Sequence, residues 1–463
     1  MKVKKITAAL LLTSFALTAC AEEATAVPKT IFKNVNIFNG TQDKLIKGCN
    51  VVVENNLIKD ACAKSVKAAK GDKVIDGQGM TLMPGMIDSH VHFYFSHEGQ
   101  RPGWEQSRWD HIAAMGAAAS GEWFADGFTT VRDMGGMLDG LRTVIDKGLL
   151  DGPRMYLSGP TISMSSGHTD MTFAGQDNKP EHSNLVRLQM TKIVDGEDEM
   201  RKAVRQSISL GSNIAKIMIG SGVAGSKSPM FSSQFTDGEI IAAVEEAERI
   251  DGYVAAHLYL DEHIQRALKL GVKTIEHGQF IQEDTARLLK EKGAYISPFL
   301  GSVVSDEILK HPVFGGELRD RTMEMKNGAK DFIKVMKKVK PKIVFSSDVV
   351  GSNGAVARQV RDFEKWVFAE SFGNFEALKA MTSVGGELAM ETGRGNPYPH
   401  KLGVIEKGAY ADILLVDGNP LKDITVLGAH PVWFDAPLRE KGIKTIQVIM
   451  KDGKIYKNTL SNK

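Results

Sequence analysis

Apolar positions recur along the chain with two different periods. Near the N-terminus, "TIFKNVNIFNG", "CNVVVENNLIKDAC" and "DKVIDGQGMTLMP" alternate apolar and polar residues, the pattern of strands buried on one face. The C-terminal end repeats it in "ADILLVDG" and "IKTIQVIMKDGKIYKN", with turn signals at Asp417-Gly418 and Asp452-Gly453. Between them the period changes. Eight short strand-like runs ("GMIDSHVHF", "GFTTVRDMG", "PRMYLSGP", "SNIAKIMIG", "GYVAAHLY", "GVKTIEHG", "GAYISPFL" and "KIVFSSDVV") alternate with amphipathic helical stretches. One of those helices, "TDGEIIAAVEEAERI", opens with the capping box Thr236-x-x-Glu239. The pattern predicts an α/β protein, a (β/α)8 TIM barrel with a small β-sandwich domain built from both chain ends. A doubly wound open sheet is the alternative, but no G-x-G-x-x-G follows the first strand. The expected boundaries are a signal peptide over 1–19, sheet domain over 20–83 and 401–463, and barrel over 84–400.

The signal peptide is read from "MKVKK", a short apolar core "ITAALLLTSFAL" and the small-residue site "LTAC". Leu17-Thr18-Ala19-Cys20 resembles a bacterial lipobox, with Cys20 as lipidation site and membrane attachment. Cleavage after Ala21 is the competing reading. Either way the chain is expected to be exported, to the periplasm.

Export changes how the remaining cysteines, Cys49 and Cys62, are read. Asn55-Asn56 reads as a two-residue turn between strands, and counting outward from it sets residue 49 opposite residue 62. A cross-strand disulfide follows in an oxidising compartment, with two reduced thiols as the alternative.

Composition is that of an ordinary globular chain: 463 residues, 42% hydrophobic and 25% charged. The formal charge of +2 rests on three lysines within residues 1–19. Without them the chain is close to neutral, which removes any electrostatic case for a nucleic-acid partner.

Chemistry-bearing side chains gather at the expected C-terminal ends of barrel strands, where this architecture places its active sites. His90 and His92 lie two apart on the first strand and so share a face. Lys216 belongs to the fourth, His257 to the fifth, His277 to the sixth and Asp348 to the eighth. Each alone has an ordinary explanation as a hydrogen-bonded core histidine, a snorkelling lysine or a helix cap. Six such residues on five strands together point to a metal site. His168, on the long connection 161–195, and Tyr259, two residues past His257, are candidate substrate-binding residues, with loop exposure and rim packing as the alternatives. Ser346 and Ser347 sit in no G-x-S-x-G elbow and are set aside as nucleophiles. His97, His111, His182, His263, His311 and His400 are assigned to surface or loop positions.

"MPGMIDSHVHF", the strand-four lysine, the two isolated histidines and the last-strand aspartate resemble the amidohydrolase superfamily. "GVIEKGAYADILLVDGNPLKDI" is similar to the stretch by which its members re-enter their sheet domain. Within it the chain resembles imidazolonepropionase-related enzymes and, more narrowly, Xaa-Pro dipeptidases, although "ALKAMTSVGGELAME" lacks their usual Asn-Pro-Ala run. The resemblance implies two divalent metal ions, zinc by the imidazole and carboxylate donors. His90, His92 and Asp348 would hold one and His257 and His277 the other. Lys216 would bridge them as N6-carboxylysine, and Asp348 would shuttle the proton. The implied activity is hydrolysis of an amide, in a dipeptide or an N-acyl amino acid, and relatives often form homo-oligomers. The alternatives are a cyclic-amide hydrolase or deaminase, which generally uses one metal and lacks the lysine, and a non-catalytic lipid-anchored binding protein.

Overall fold

The computed structural model describes residues 27–96, 101–177, 179–225, 227–311, 314–316 and 318–460. The signal peptide, Cys20 and His97 lie outside the described residues. Five strands come first: β1 (Lys29–Ile37), β2 (Ile46–Glu54), β3 (Leu57–Ala63), β4 (Lys73–Asp76) and β5 (Thr81–Pro84). The Asn55 turn is present, its φ of 55° being one that asparagine tolerates. Glu54 pairs with Leu57 and Val53 with Ile58, but bulges then shift the ladder, so that Asn50 faces Ala63. The simple register count therefore fails beyond two pairs. The Cys49–Cys62 bond nonetheless forms, across a Cα–Cα separation of 4.8 Å.

The central region holds ten strands: β6 (Met86–Val91), β7 (Phe128–Asp133), β8 (Arg154–Leu157), β9 (Thr161–Ser163), β10 (Thr191–Ile193), β11 (Ile214–Met218), β12 (Tyr253–Leu258), β13 (Thr274–His277), β14 (Tyr295–Ser297) and β15 (Lys342–Ile343). They form two parallel sheets, β6-β7-β8 and β10-β9-β11-β12-β13-β14-β15, with helices between consecutive strands except β8 and β9. The third expected strand, "PRMYLSGP", is β8, whereas β9 and β10 lie in the stretch 161–195 that was expected to be a long connection. The eighth is shorter than expected, with only Lys342 and Ile343 in regular pairing. Beyond it the chain bonds irregularly to several partners. Val344 donates to Ile296 (3.0 Å), Phe345 to Ala380 (3.2 Å) and Asp348 to the His90 carbonyl (3.0 Å), while Ser89 donates to Phe345 (2.8 Å). These bonds join the end of the seven-stranded sheet to the start of the three-stranded one.

The chain then returns to the first sheet through β16 (Ile413–Val416), β17 (Ile446–Lys451) and β18 (Lys454–Asn458). Hydrogen bonds link both chain ends into one eight-stranded sheet in the order β18-β17-β16-β5-β1-β2-β3, with β4 on β1. Alternation along β16 explains the packing. Ile413 and Leu415 enter a core with Val51, Val53 and Phe32, whereas Leu414 and Val416 enter the large core shared with the parallel sheets. No helix among the described residues is long and apolar enough to cross a membrane.

The disulfide closes a loop of about a dozen residues, and Cys62 is exposed to reductant. Cys49→Ser, or reduction of the native protein, should lower the unfolding free energy by about 2–4 kcal/mol. Urea denaturation with and without dithiothreitol measures this, and coincident midpoints would show that the crosslink contributes nothing.

Candidate metal centre

His90 is the fifth residue of β6 and fully buried, and His92 follows the end of the strand. Sharing one face, their Nε2 atoms lie 3.1 Å apart. Asp348 Oδ1 lies 3.6 Å from His90 Nε2 and 3.5 Å from His92 Nε2, and its Oδ2 is 3.6 Å from His277 Nδ1. Two positions here hold left-handed backbone without being glycine, His277 at φ 73° and Asp348 at φ 45°. Such conformations cost free energy and persist where the surroundings enforce them. At His277 the effect is tangible: strict strand alternation would turn its side chain away from that of Glu276, yet both contact the His90 group.

Lys216 stands mid-strand rather than at a strand end. Its register partner is Ala255, two residues below His257, so its four-carbon stem has to reach up toward the histidines. It lines one cavity with His90, His92, His168, His257, His277 and Asp348. The His257 ring stacks on His168 at 3.8 Å and meets His277 edge-on at 4.5 Å. Tyr259 stacks on His277 at 5.2 Å. His168 and Tyr259 are thus buried against the cluster rather than left on an exposed loop or rim. His111, His182 and His400 are exposed as expected, but His263 and His311 are buried, on the helix Asp261–Lys269 and just past the turn Asp306–Lys310.

Electrostatics make these nitrogens lone-pair donors. Burial, reinforced by the Lys216 charge, pushes His90 down to about 4 and His168 down to about 3. Burial and neighbouring cationic groups likewise hold His257 and His277 well below the usual imidazole range. Burial lowers Lys216 to about 8, opposed by Glu276 and Asp348, which raises its share of neutral amine. For Asp348 burial works upward, but the rings of His90, His277 and His92 outweigh it and keep the carboxylate ionised.

The support behind His90 was not visible in any local motif. Its Nδ1 contacts Glu276 Oε2 at 2.8 Å, and Arg132 Nη2 donates to both Glu276 oxygens at 2.8 Å. Thr274 Oγ1 donates to Glu276 Oε1 (2.6 Å), and Arg132 Nε donates to the Ser89 carbonyl (2.6 Å). Although burial favours its neutral form, Glu276 is held well below the usual carboxylate range by Arg132 and His90. An ionised Glu276 requires the proton on His90 Nδ1, which leaves the Nε2 lone pair facing His92 and Asp348. Glu276 and Arg132 stood in "TIEHG" and "TTVRDMG", but nothing local signalled their pairing.

The donor set fits a metal. Ligand atoms about 2.0–2.1 Å from a tetrahedral zinc lie about 3.3 Å from one another, close to the 3.1, 3.5 and 3.6 Å measured here. His92 Nδ1 and His257 Nε2 are buried without a hydrogen-bond partner. For His257 that orphaned nitrogen is the atom available to a cation.

Residues 81–457 match the Amidohydrolase family. The chain belongs to that family. It is similar to ochratoxinase of Aspergillus niger, 28% identical over 393 residues, which cover 81% of this chain and 75% of that protein. Among solved structures it is similar to a prolidase complexed with N-methylphosphonate-L-proline, at TM-score 0.81, 29% identity, 93% of this chain and 100% of that one. A Xaa-Pro dipeptidase with methionine bound in its active site gives TM-score 0.76 and 27% identity over 93% and 100%. As a member of this family the amidohydrolase is a metal-dependent enzyme that hydrolyses C–N bonds of amides.

The loop after β11 presses its backbone onto this centre. A Cβ at Gly222 would lie 2.5 Å from His257 Nε2 and 2.9 Å from His168 Cε1. Arg321 Nη1 donates to the carbonyls of Gly222 and Gly225 and holds the turn in place.

Two substitutions probe this shell. Glu276→Gln should weaken metal retention about 10–100-fold and destabilise the fold by about 3–5 kcal/mol, because Arg132 is left buried without its charge partner. Metal content after graded dialysis and thermal melts measure both. Gly222→Ala should cost about 1–3 kcal/mol and displace the His257 and His168 rings, measured by the same melts and by turnover. A Gly222→Ala protein with unchanged stability and turnover would show that the turn yields freely.

Proposed function

We propose that the amidohydrolase is a binuclear enzyme that cleaves an amide next to a free carboxylate, in a Xaa-Pro-like dipeptide or an N-acyl amino acid. The observation that carries this reading is the convergence of His90, His92, Lys216, His257, His277 and Asp348 on one cavity. In the same reading the parallel strands close into a (β/α)8 barrel over 84–400, and the terminal strands (20–83 and 401–463) form a β-sandwich domain. The bonds Ser89→Phe345 and Asp348→His90 support closure.

His90, His92 and Asp348 would hold one divalent ion and His257 and His277 the other, zinc being the best match to these donors. Lys216, as its neutral amine, would add carbon dioxide and release a proton, becoming an anionic carboxylysine able to bridge both. When bound, the two ions supply Lewis-acid polarisation of the scissile carbonyl and bring the pKa of water near neutrality. The protein's own groups do the rest. Glu276 and Arg132 hold His90 in one tautomer. Asp348, ionised and central, accepts the proton of the attacking water and returns it to the leaving nitrogen. Burial raises the Tyr259 phenol, so it remains an O–H donor, and with His168 it is placed to bind the substrate carboxylate or the developing oxyanion.

Export to the periplasm, lipidation at Cys20 and assembly into a homo-oligomer are parts of the same proposal. They rest on residues 1–20 and on the superfamily resemblance.

Asp348→Asn should lower kcat about 10²–10⁴-fold while metal stays partly bound. Zinc-loaded wild-type protein should carry close to two ions per chain and lose activity to a chelator. Stoichiometry by elemental analysis, alongside turnover of a dipeptide and N-acyl-amino-acid panel, tests this. A mutant keeping most of its kcat would remove Asp348 as the proton shuttle.

A further inference from the structure

The chain is close to neutral overall, yet one surface is crowded with lysine. The helix Phe332–Val339 buries Phe332, Val335, Met336 and Val339 and turns Lys334, Lys337 and Lys338 outward, at the i, i+3 and i+4 spacing of a single face. Lys340 follows at the helix end, Lys342 opens β15, and Lys379 comes from the helix Asn374–Ala380. The acids nearby are already matched: Glu283 with Lys338, Glu387 with Lys342 and Glu376 with Lys379, at 2.6, 3.2 and 3.1 Å. Asp331 lies at the opposite end of the lysine-bearing helix. Among the described residues Lys334, Lys337 and Lys340 have no carboxylate within ion-pair distance. The helix dipole favours cations in the last turn, which accounts for Lys337 and Lys340. It does not account for Lys334 in the first turn, or for Lys342 and Lys379 on other elements.

Between these lysines the surface is apolar. Lys337, Lys340, Lys342 and Lys379 rim a cavity of about 450 Å³ floored by Met336, Ile343, Phe368 and Phe372. A rim of ammonium groups over such a floor suits an amphiphile with an anionic head and a hydrocarbon tail. The head keeps a charge partner, and the tail leaves water for apolar surface.

The position of this surface points to the source of such a molecule. Lys342 Nζ donates to Tyr295 Oη at 3.1 Å, at the start of β14, whereas Asp348 lies beyond the other end of β15. The cavity is therefore at the opposite end of the parallel strands from the metal centre. The described chain begins at this same end. Lys29 pairs with Glu54, and Leu57, just past the Asn55 turn, packs in one cluster with Tyr156, Tyr295 and Tyr410. Cys20 is seven residues before Val27, at most about 25 Å of chain. A lipid on Cys20 would hold this end of the body close to a bilayer.

We infer that the lysine-rimmed surface binds anionic phospholipid in a membrane and seats the enzyme with the mouth of its metal centre turned away from the bilayer. This surface adds to the attachment at Cys20 proposed above, and its test does not depend on that lipid.

The test compares the same full chain on two kinds of vesicle. Cosedimentation is measured with phosphatidylcholine vesicles and with vesicles containing about 25% phosphatidylglycerol. Binding to the anionic vesicles should be tighter by about fivefold for each participating lysine. The preference should vanish near 1 M salt, where screening acts within about 3 Å. Lys334→Gln, Lys337→Gln and Lys340→Gln together should lower it about 100-fold. Removing as many charges at Lys44, Lys47 and Lys422, exposed around a separate groove, should leave it unchanged. Residues 1–26 are common to every variant, so their own contribution cancels. Equal binding to both kinds of vesicle, or the same loss in both triple variants, would overturn the inference and leave attachment at Cys20 standing. An oligomer that dissociates in the first triple variant, with vesicle binding unchanged, would overturn it in favour of a second copy of the chain on this face.

Discussion

The centre depends on the buried relay Arg132–Glu276–His90. A carboxylate without exposure to water is stable only because a guanidinium meets both its oxygens, and the anion so stabilised dictates which nitrogen of His90 carries the proton. Everything nearer the cavity inherits that choice. The Nε2 lone pair that faces His92 and Asp348 exists because of a charge pair spanning β7, β13 and β6. Isolated buried ion pairs contribute little net stability, so this one is better understood as fixing a geometry than as holding the fold together.

What was legible in the sequence is what local periodicity encodes. His90 and His92 share a face because they are two apart on an extended segment, and the structure puts their nitrogens 3.1 Å apart. The alternation in "ADILLVDG" announced a strand, and β16 is one. Lys216, His257, His277 and Asp348 stood out because imidazole, ammonium and carboxylate groups are unusual in apolar strands.

What was not legible depends on register between distant segments or on departures from regularity. Glu276 and Arg132 meet across strands more than a hundred residues apart in sequence, and no spacing rule reports that. The inward turn of His277 comes from a left-handed φ that a strand pattern excludes. The eighth strand shrank to two residues because the chain after Ile343 bonds to several partners instead of one ladder. Gly222 was silent for a simpler reason: its importance lies in the side chain it lacks, visible only once His257 and His168 are seen against it. The disulfide was reached through a register that the bulges in β2 and β3 disrupt, yet the sulfurs still meet.

Strand β16 has a consequence of its own. With Ile413 and Leu415 in one core and Leu414 and Val416 in the other, a single four-residue segment belongs to both hydrophobic bodies. Neither can melt without withdrawing that strand from its neighbour. The terminal sheet is therefore a closing member of the catalytic body rather than an appendage, and the polypeptide should lose its structure in one concerted transition. The catalytic scaffold is complete only once β16 has been made and docked.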